Sequence, residues 1–229
     1  MEVERQMLRA ARRRPDRGTF LWTPAEASGA LAAELLCPLC DPERVEAVCR
    51  EARRRGAAAV TVLPAFVAQA RRLLAGSATA LVVSAGYPWG SLTPGARTAL
   101  CKDCLAAGAD ELEAALDLAA VKSGRLAGEQ EALGELVQLA RSAGRALSVR
   151  VPLRKLTGAE QVAVLTALRR CGADLAVLDK CADPAEVALA RELLGGQMAV
   201  AASTGEAEDF ALIRSLLEAG ALRVGVAAP

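Results

Sequence analysis

Few residues in this chain have side chains suited to covalent chemistry, and the lysines come first. There are four in 229 residues, Lys102, Lys122, Lys155 and Lys180, beside 24 arginines. A lysine amine attacks a carbonyl to form a Schiff base when burial or a neighbouring cation lowers its pKa. Lys180 closes the stretch GADLAVLDKC (Gly172 to Cys181), where Asp179 stands beside it as a proton partner. The competing reading is a solvated or ion-paired lysine, the ordinary fate of long exposed side chains, and it applies equally to Lys155 and Lys122. Histidine is absent, which excludes Ser-His and Cys-His nucleophile pairs, the commonest general base and His-ligated metals. Two Cys-x-x-Cys pairs, Cys37 with Cys40 and Cys101 with Cys104, have the spacing of a four-thiolate zinc site when taken alone.

The elements that must position these residues follow from a recurring device. Five times a helix-like stretch runs into Gly and then Ala or a close substitute, at 55–57, 107–110, 143–146, 171–174 and 219–221. Glycine just past a helix takes the left-handed conformation that closes it, so each instance marks a helix-to-strand junction. The spacing predicts strands at 29–36, 58–63, 79–84, 111–116, 147–153, 175–179, 198–202 and 222–227. These runs are rich in Val, Leu and Ala with weak polar alternation, as in parallel strands buried on both faces. Helical patterns lie between them at 42–55, 64–75, 94–107, 129–143, 159–171, 184–194 and 207–219, several with Pro in the first turn. Eight strands alternating with helices describe a (β/α)8 barrel, a TIM barrel, better than a doubly wound sheet.

In a barrel the chemistry belongs to the loops leaving the C-terminal ends of the strands. Lys122, Lys155 and Lys180 fall there, and Lys102 falls on a helix. The two cysteine pairs fall near opposite faces, too far apart for zinc–sulfur bonds of about 2.3 Å. No metal and no cofactor is expected. Neither Gly195-Gly196-Gln197 nor the turn GYPWG (86–90) has a P-loop or dinucleotide pattern. Trp89 in that turn either lines a pocket mouth or packs over the barrel rim.

With 53% hydrophobic residues the chain can build one large core, and its apolar runs are too short for a membrane span. The opening MEVERQMLRAARRRPDR fits neither a secretory signal nor a transit peptide. An odd count of seven cysteines suits reduced, buried thiols, and a cytoplasmic location follows. Net charge +1 gives no field for nucleic acid, and the local cluster Arg5, Arg9, Arg12, Arg13, Arg14 and Arg17 reads as the solvated face of a capping helix. The expected organisation is a helical extension over 1–28 and a barrel over 29–229.

In this order and spacing, LLCPLCDP (35–42), VLPAFV (62–67), GYPWG (86–90), GADELE (108–113) leading to VKSG (121–124), GAD (172–174) and EAGALRVG (218–225) resemble the deoxyribose-phosphate aldolases, class I lyases on a TIM barrel. The resemblance covers most of the chain from Leu35 onward. It implies reversible cleavage of 2-deoxyribose 5-phosphate to glyceraldehyde 3-phosphate and acetaldehyde through a lysine imine. It also implies that the imine lysine stands three residues after Gly-Ala-Asp, which here is Val177, and that its partner lysine on the seventh strand is Ala201. The first-strand Asp becomes Ala32, the lysine after it Cys37, the asparagine before the second-strand proline Leu63 and the fifth-strand lysine Ser148. Glu113 alone keeps its chemistry, in the place of the fourth-strand acid. Of the phosphate site, the serines after the eighth strand become Ala227 and Ala228, leaving Ser203, Thr204, Gly205 and Gly225 as binding candidates.

The expectation is a degenerate family member kept as a binding or regulatory protein, with a small phosphorylated or aldehyde ligand. Two alternatives stand beside it. One is an active lyase with a relocated Schiff-base lysine, Lys180 or Lys155, working with Glu113. The other is a structural subunit in a mixed oligomer with an active paralogue. The resemblance further implies a homo-oligomer such as a dimer. If the sixth strand keeps the family register, positions 177 and 179 face the interior and Lys180 points toward the helices, out of the pocket.

Overall fold

Helix and strand alternate because local signals end each helix cleanly and send the chain straight into the next strand. The computed structural model describes residues 29–205 and 209–228; the expected helical extension over 1–28 lies outside them. The elements run β1 (Leu31–Leu35), α1 (Pro42–Arg55), β2 (Ala59–Val62), a 3-10 turn (Pro64–Phe66), α2 (Val67–Leu73), β3 (Ala80–Ala85), α3 (Pro94–Ala106), β4 (Glu111–Ala115), α4 (Leu118–Lys122) and α5 (Leu126–Ser142). They continue with β5 (Ala146–Val151), a 3-10 turn (Leu153–Lys155), α6 (Gly158–Cys171), β6 (Leu175–Leu178), α7 (Pro184–Leu194), β7 (Ala199–Ser203), α8 (Phe210–Glu218) and β8 (Val224–Ala227).

At α1 the Asp41 carboxylate accepts a hydrogen bond from the Arg44 N–H at 2.8 Å, Pro42 occupies the first turn and Gly56 closes the helix at φ +66°. Thr157 and Glu160 form a reciprocal capping box at α6. The short helix α4 has no counterpart in the sequence reading. It is five residues long, too short to display a helical period, and Asp117 caps it by accepting from the Ala120 N–H at 3.0 Å.

All eight strands are parallel, pair in sequence order and close on themselves, β8 against β1. The sheet is therefore the closed (β/α)8 barrel the strand count predicts. Alternate residues point outward and meet the helices in one continuous apolar layer that includes Leu35, Val83, Leu112, Val149 and Leu178. Each such side chain contributes about 1.5–3 kcal/mol by leaving water. The inward residues form two small apolar clusters, Ala32, Ala59 and Val82 on one side and Leu175, Val177 and Ala201 on the other. Other inward positions carry polar groups, among them Glu34, Thr61, Ser84, Glu111, Glu113, Ser148, Arg150 and Ser203.

Among the described residues one ion pair is buried outside the barrel, between helices. Arg97 on α3 donates to both carboxylate oxygens of Glu129 on α5, at 2.9 and 2.8 Å, and the Asp117 N–H donates to the same carboxylate at 3.1 Å. This pair clamps the segment between β4 and α5.

Candidate functional site

Period-two alternation puts Glu111 and Glu113 of β4 on the inward face, and the register sets Ser148 of β5 beside Glu113. The lower of the two charged layers is self-contained. Arg223 donates to both oxygens of Glu111, and the Ser148 hydroxyl donates to Glu111 Oε1 at 2.6 Å.

The upper layer is organised around Arg150, a residue the sequence reading passed over. Its Nε donates to Glu113 Oε1 at 2.7 Å, and its Nη2 to Glu113 Oε2 at 3.0 Å and Glu34 Oε1 at 2.7 Å. Its Nη1 donates to Asp179 Oδ1 at 2.9 Å and more distantly to Glu34 Oε2 at 3.5 Å. A guanidinium has five N–H groups, and these five contacts use them all. Arg150 therefore has no donor left for a ligand. Ser84 donates to Glu113 Oε1 at 2.6 Å and Ser203 to Glu34 Oε2 at 2.7 Å, while the Tyr87 ring lies 5.6 Å from the guanidinium carbon.

These contacts fix the charge states. Burial alone would raise the Glu113 pKa, but the charge and hydrogen bonds of Arg150, joined by Ser84, outweigh it and hold the carboxyl below its ordinary value. Burial would likewise lower the Arg150 pKa, and Glu113 and Glu34 overcome it, raising the guanidinium well above its usual value. The Tyr87 phenol is pushed up by burial and by the negative charge of Asp179.

Above this layer, at the C-terminal mouth, opens a cavity of about 350 Å³. That is the size of a small-molecule site. Glu34, Tyr87, Asp179 and Ser203 line its polar part, with Lys180, Gly205 and Arg44 also in its wall. The β1–α1 loop contributes Leu36, Cys37, Pro38 and Cys40.

The predicted residues fall unevenly around this cavity. Val177 is inward and buried, paired with Arg150 on β5 and Ala201 on β7, so the expected register of β6 holds. Lys180 nevertheless lines the cavity, contrary to its expected position toward the helices. Strand β6 ends at Leu178, and Lys180 adopts a left-handed backbone (φ +53°), with its aliphatic chain packed against Gly205. A strand alternation rule cannot be carried through such a turn. Lys155 is exposed on the 3-10 turn after β5, and Lys122 pairs with Glu160 at 2.6 Å; neither lines the cavity. Glu113 lies below the cavity with both oxygens occupied.

Among the anion-site candidates, the Ser203 hydroxyl is turned to Glu34, and Thr204 directs both its N–H (2.9 Å) and its hydroxyl (3.3 Å) to the Gly225 carbonyl. Gly225 itself makes room for a side chain of the protein, since a Cβ there would collide with the Glu34 carboxylate. Gly205 alone of these last three is in the cavity wall.

The sequence reading missed Glu34 and Arg150, although a signal was present. Charges of opposite sign at inward positions of doubly buried strands must meet one another. Among the described residues no group of three or more His, Cys, Asp or Glu is placed to hold a metal, and no helix is long and apolar enough to cross a membrane.

A parallel eight-stranded barrel with its polar groups gathered under the C-terminal mouth is a (β/α)8 protein whose candidate site lies where such barrels carry theirs. The tetrameric deoxyribose phosphate aldolase from Aeropyrum pernix superposes with a TM-score of 0.83 at 23% identity, covering 98% of this chain and 94% of that one. An archaeal fructose-1,6-bisphosphate aldolase shares the fold more distantly, with a TM-score of 0.62 at 15% identity over 89% and 88% of the two chains. No family model matches the sequence. The deoxyribose-phosphate aldolase of Streptococcus pneumoniae (strain CGSP14) is 30% identical over 191 residues, 81% of this chain and 86% of its own. The chain belongs to the deoxyribose-phosphate aldolase family.

Proposed function

We propose that this family member is degenerate for imine-based cleavage of 2-deoxyribose 5-phosphate and retains its mouth cavity to bind a small phosphorylated or aldehyde ligand. The observation that carries this reading is the state of the barrel centre. At the position where the family resemblance calls for a lysine, Val177 packs against Leu175 and Ala201, and beside it the saturated Arg150 fills the space below the cavity. Without an amine at that depth, a carbonyl reaching past Tyr87 meets only carboxylates and a guanidinium, neither of which forms an imine. The cavity wall still suits a hydroxylated anion. Lys180 and Arg44 supply positive charge, and Asp179, Glu34 and Tyr87 can meet hydroxyl groups.

A second reading has one observation in its favour: Lys180, beside Asp179, lines the cavity. It makes the protein a lyase with a relocated nucleophile. Borohydride trapping with deoxyribose 5-phosphate and with acetaldehyde separates the two, read by intact mass and peptide mapping beside an active family member. The expected result is no adduct, together with a saturable rise in melting temperature on adding deoxyribose 5-phosphate. An adduct on Lys180 establishes the second reading; no adduct and no thermal shift overturns the ligand-binding role.

A further inference from the structure

The Cys-x-x-Cys sequence on the β1–α1 loop is not used by this reading. Cys37, Pro38, Leu39 and Cys40 form a turn in which the Cys40 N–H donates to the Cys37 carbonyl at 3.2 Å. A turn closed this way brings its end Cα atoms within about 7 Å. Disulfides span Cα separations of about 4.4–6.8 Å, so the backbone already holds the two residues near bridging distance. Pro38 stiffens the turn, Leu39 at its apex is 84% exposed, and the two cysteines flanking it are each partly exposed.

The two sulfurs sit in different surroundings. The Leu39 N–H donates to Cys37 Sγ at 3.4 Å. The Cys40 thiol is pushed up by burial and then by the charge of Cys37, with which it is also hydrogen-bonded. Both are partly exposed, whereas Cys49, Cys101, Cys104 and Cys181 are buried, with thiols pushed up to about 11 or 12 by burial. Cys171, also partly exposed, is the last residue of α6 and donates its S–H to the Leu168 carbonyl at 3.2 Å. Among the described residues no third metal-binding side chain joins the Cys37–Cys40 pair.

We propose that Cys37 and Cys40 are a redox-active dithiol on the cavity rim that exchanges with low-molecular-weight disulfides of the glutathione class. The Cys37 thiolate attacks one sulfur of oxidised glutathione. A Cys37–glutathione bond forms, the glutathione disulfide breaks, and one glutathione thiolate leaves and takes up a proton. Cys40 then loses its proton and attacks Cys37 Sγ, forming the Cys37–Cys40 bond and expelling the second glutathione. The protein dithiol is oxidised by two electrons and one disulfide is reduced to two thiols.

The test is incubation of the full chain with oxidised glutathione, followed by alkylation and peptide mapping. The expected product has lost two hydrogens and carries a single bridge, Cys37 to Cys40. The Cys40→Ser variant should accumulate a mixed disulfide on Cys37, and Cys37→Ser should react at Cys40 at least ten-fold more slowly. Separate alkylation of Cys37 and Cys40 in the wild type, or glutathione carried on Cys171 instead, overturns the proposal even if neither variant folds. Equal rates for the two variants overturn the assignment of Cys37 as the attacking sulfur.

Discussion

Replacing Arg150 by Met tests the central network directly. The methionine has similar length and no charge, so the substitution leaves Glu34, Glu113 and Asp179 facing one another without their shared cation. Glu34 and Glu113 are almost wholly buried and Asp179 is 14% exposed at its side chain. Removing one partner of a buried ion pair costs about 3–5 kcal/mol. For a chain of this size that corresponds to a fall in melting temperature of about 6–20 °C at pH 7.5, taking 2–4 °C per kcal/mol.

The pH dependence gives a sharper readout. In the wild type the folded-state pKa of Glu113 lies below its unfolded value, so its contribution is present above about pH 4.3 and is lost as pH falls through the folded value. Without Arg150, burial raises that pKa, the folded state binds more protons than the unfolded one, and stability declines as pH rises above about 4.3. Circular-dichroism melts from pH 3 to 8 should therefore be nearly level for the wild type above about pH 5, falling only toward the acid end, and should slope downward with rising pH for Arg150→Met. An Arg150→Met protein at least as stable as the wild type at pH 7.5, or one with the same slope, would refute the assignment of Arg150 as the cation that keeps Glu113 ionised.

Three shorter predictions follow from other contacts. Gly225→Ala should lower stability by about 1–3 kcal/mol, measured as a fall in the urea midpoint, because its Cβ displaces the Glu34 carboxylate; an unchanged midpoint would show that Glu34 has another place to go. Restoring an amine by Val177→Lys puts it at a buried position paired with Arg150, where burial and the neighbouring cation lower its pKa, so a borohydride adduct with acetaldehyde should form near neutral pH at position 177 in the variant; no adduct up to about pH 10 would show that aldehydes do not reach this depth. Arg97→Leu leaves Glu129 buried without its cation and should cost about 3–5 kcal/mol by chemical denaturation.

The barrel is readable in the sequence because its signals are local. Pro42, Pro94 and Pro184 open helices, Gly56, Gly172 and Gly195 close them, and the apolar runs between are too uniform for anything but strands covered on both sides. The site is less legible because its parts come from distant strands. Arg150 lies in the run SVRV, where its charge looks like an interruption of a strand, and Glu34 lies 116 residues before it. The position of Lys180 depends on one backbone angle past the end of a strand, which no alternation of residue types encodes.

The bonds radiating from Arg150 and its carboxylates also govern how the barrel opens. Glu34 on β1, Ser84 on β3, Glu113 on β4, Arg150 on β5 and Ser203 on β7 belong to one continuous polar network, with Asp179 joining it just past β6. A barrel held only by neighbour-to-neighbour ladders has eight places at which a single strand pair can part. Here, separating β4 from β5, or β7 from β1 across β8, also strips hydrogen bonds from buried charges. Amide hydrogen exchange in these strands should therefore proceed by opening the whole barrel at once, with closely similar protection in β1, β4, β5 and β7.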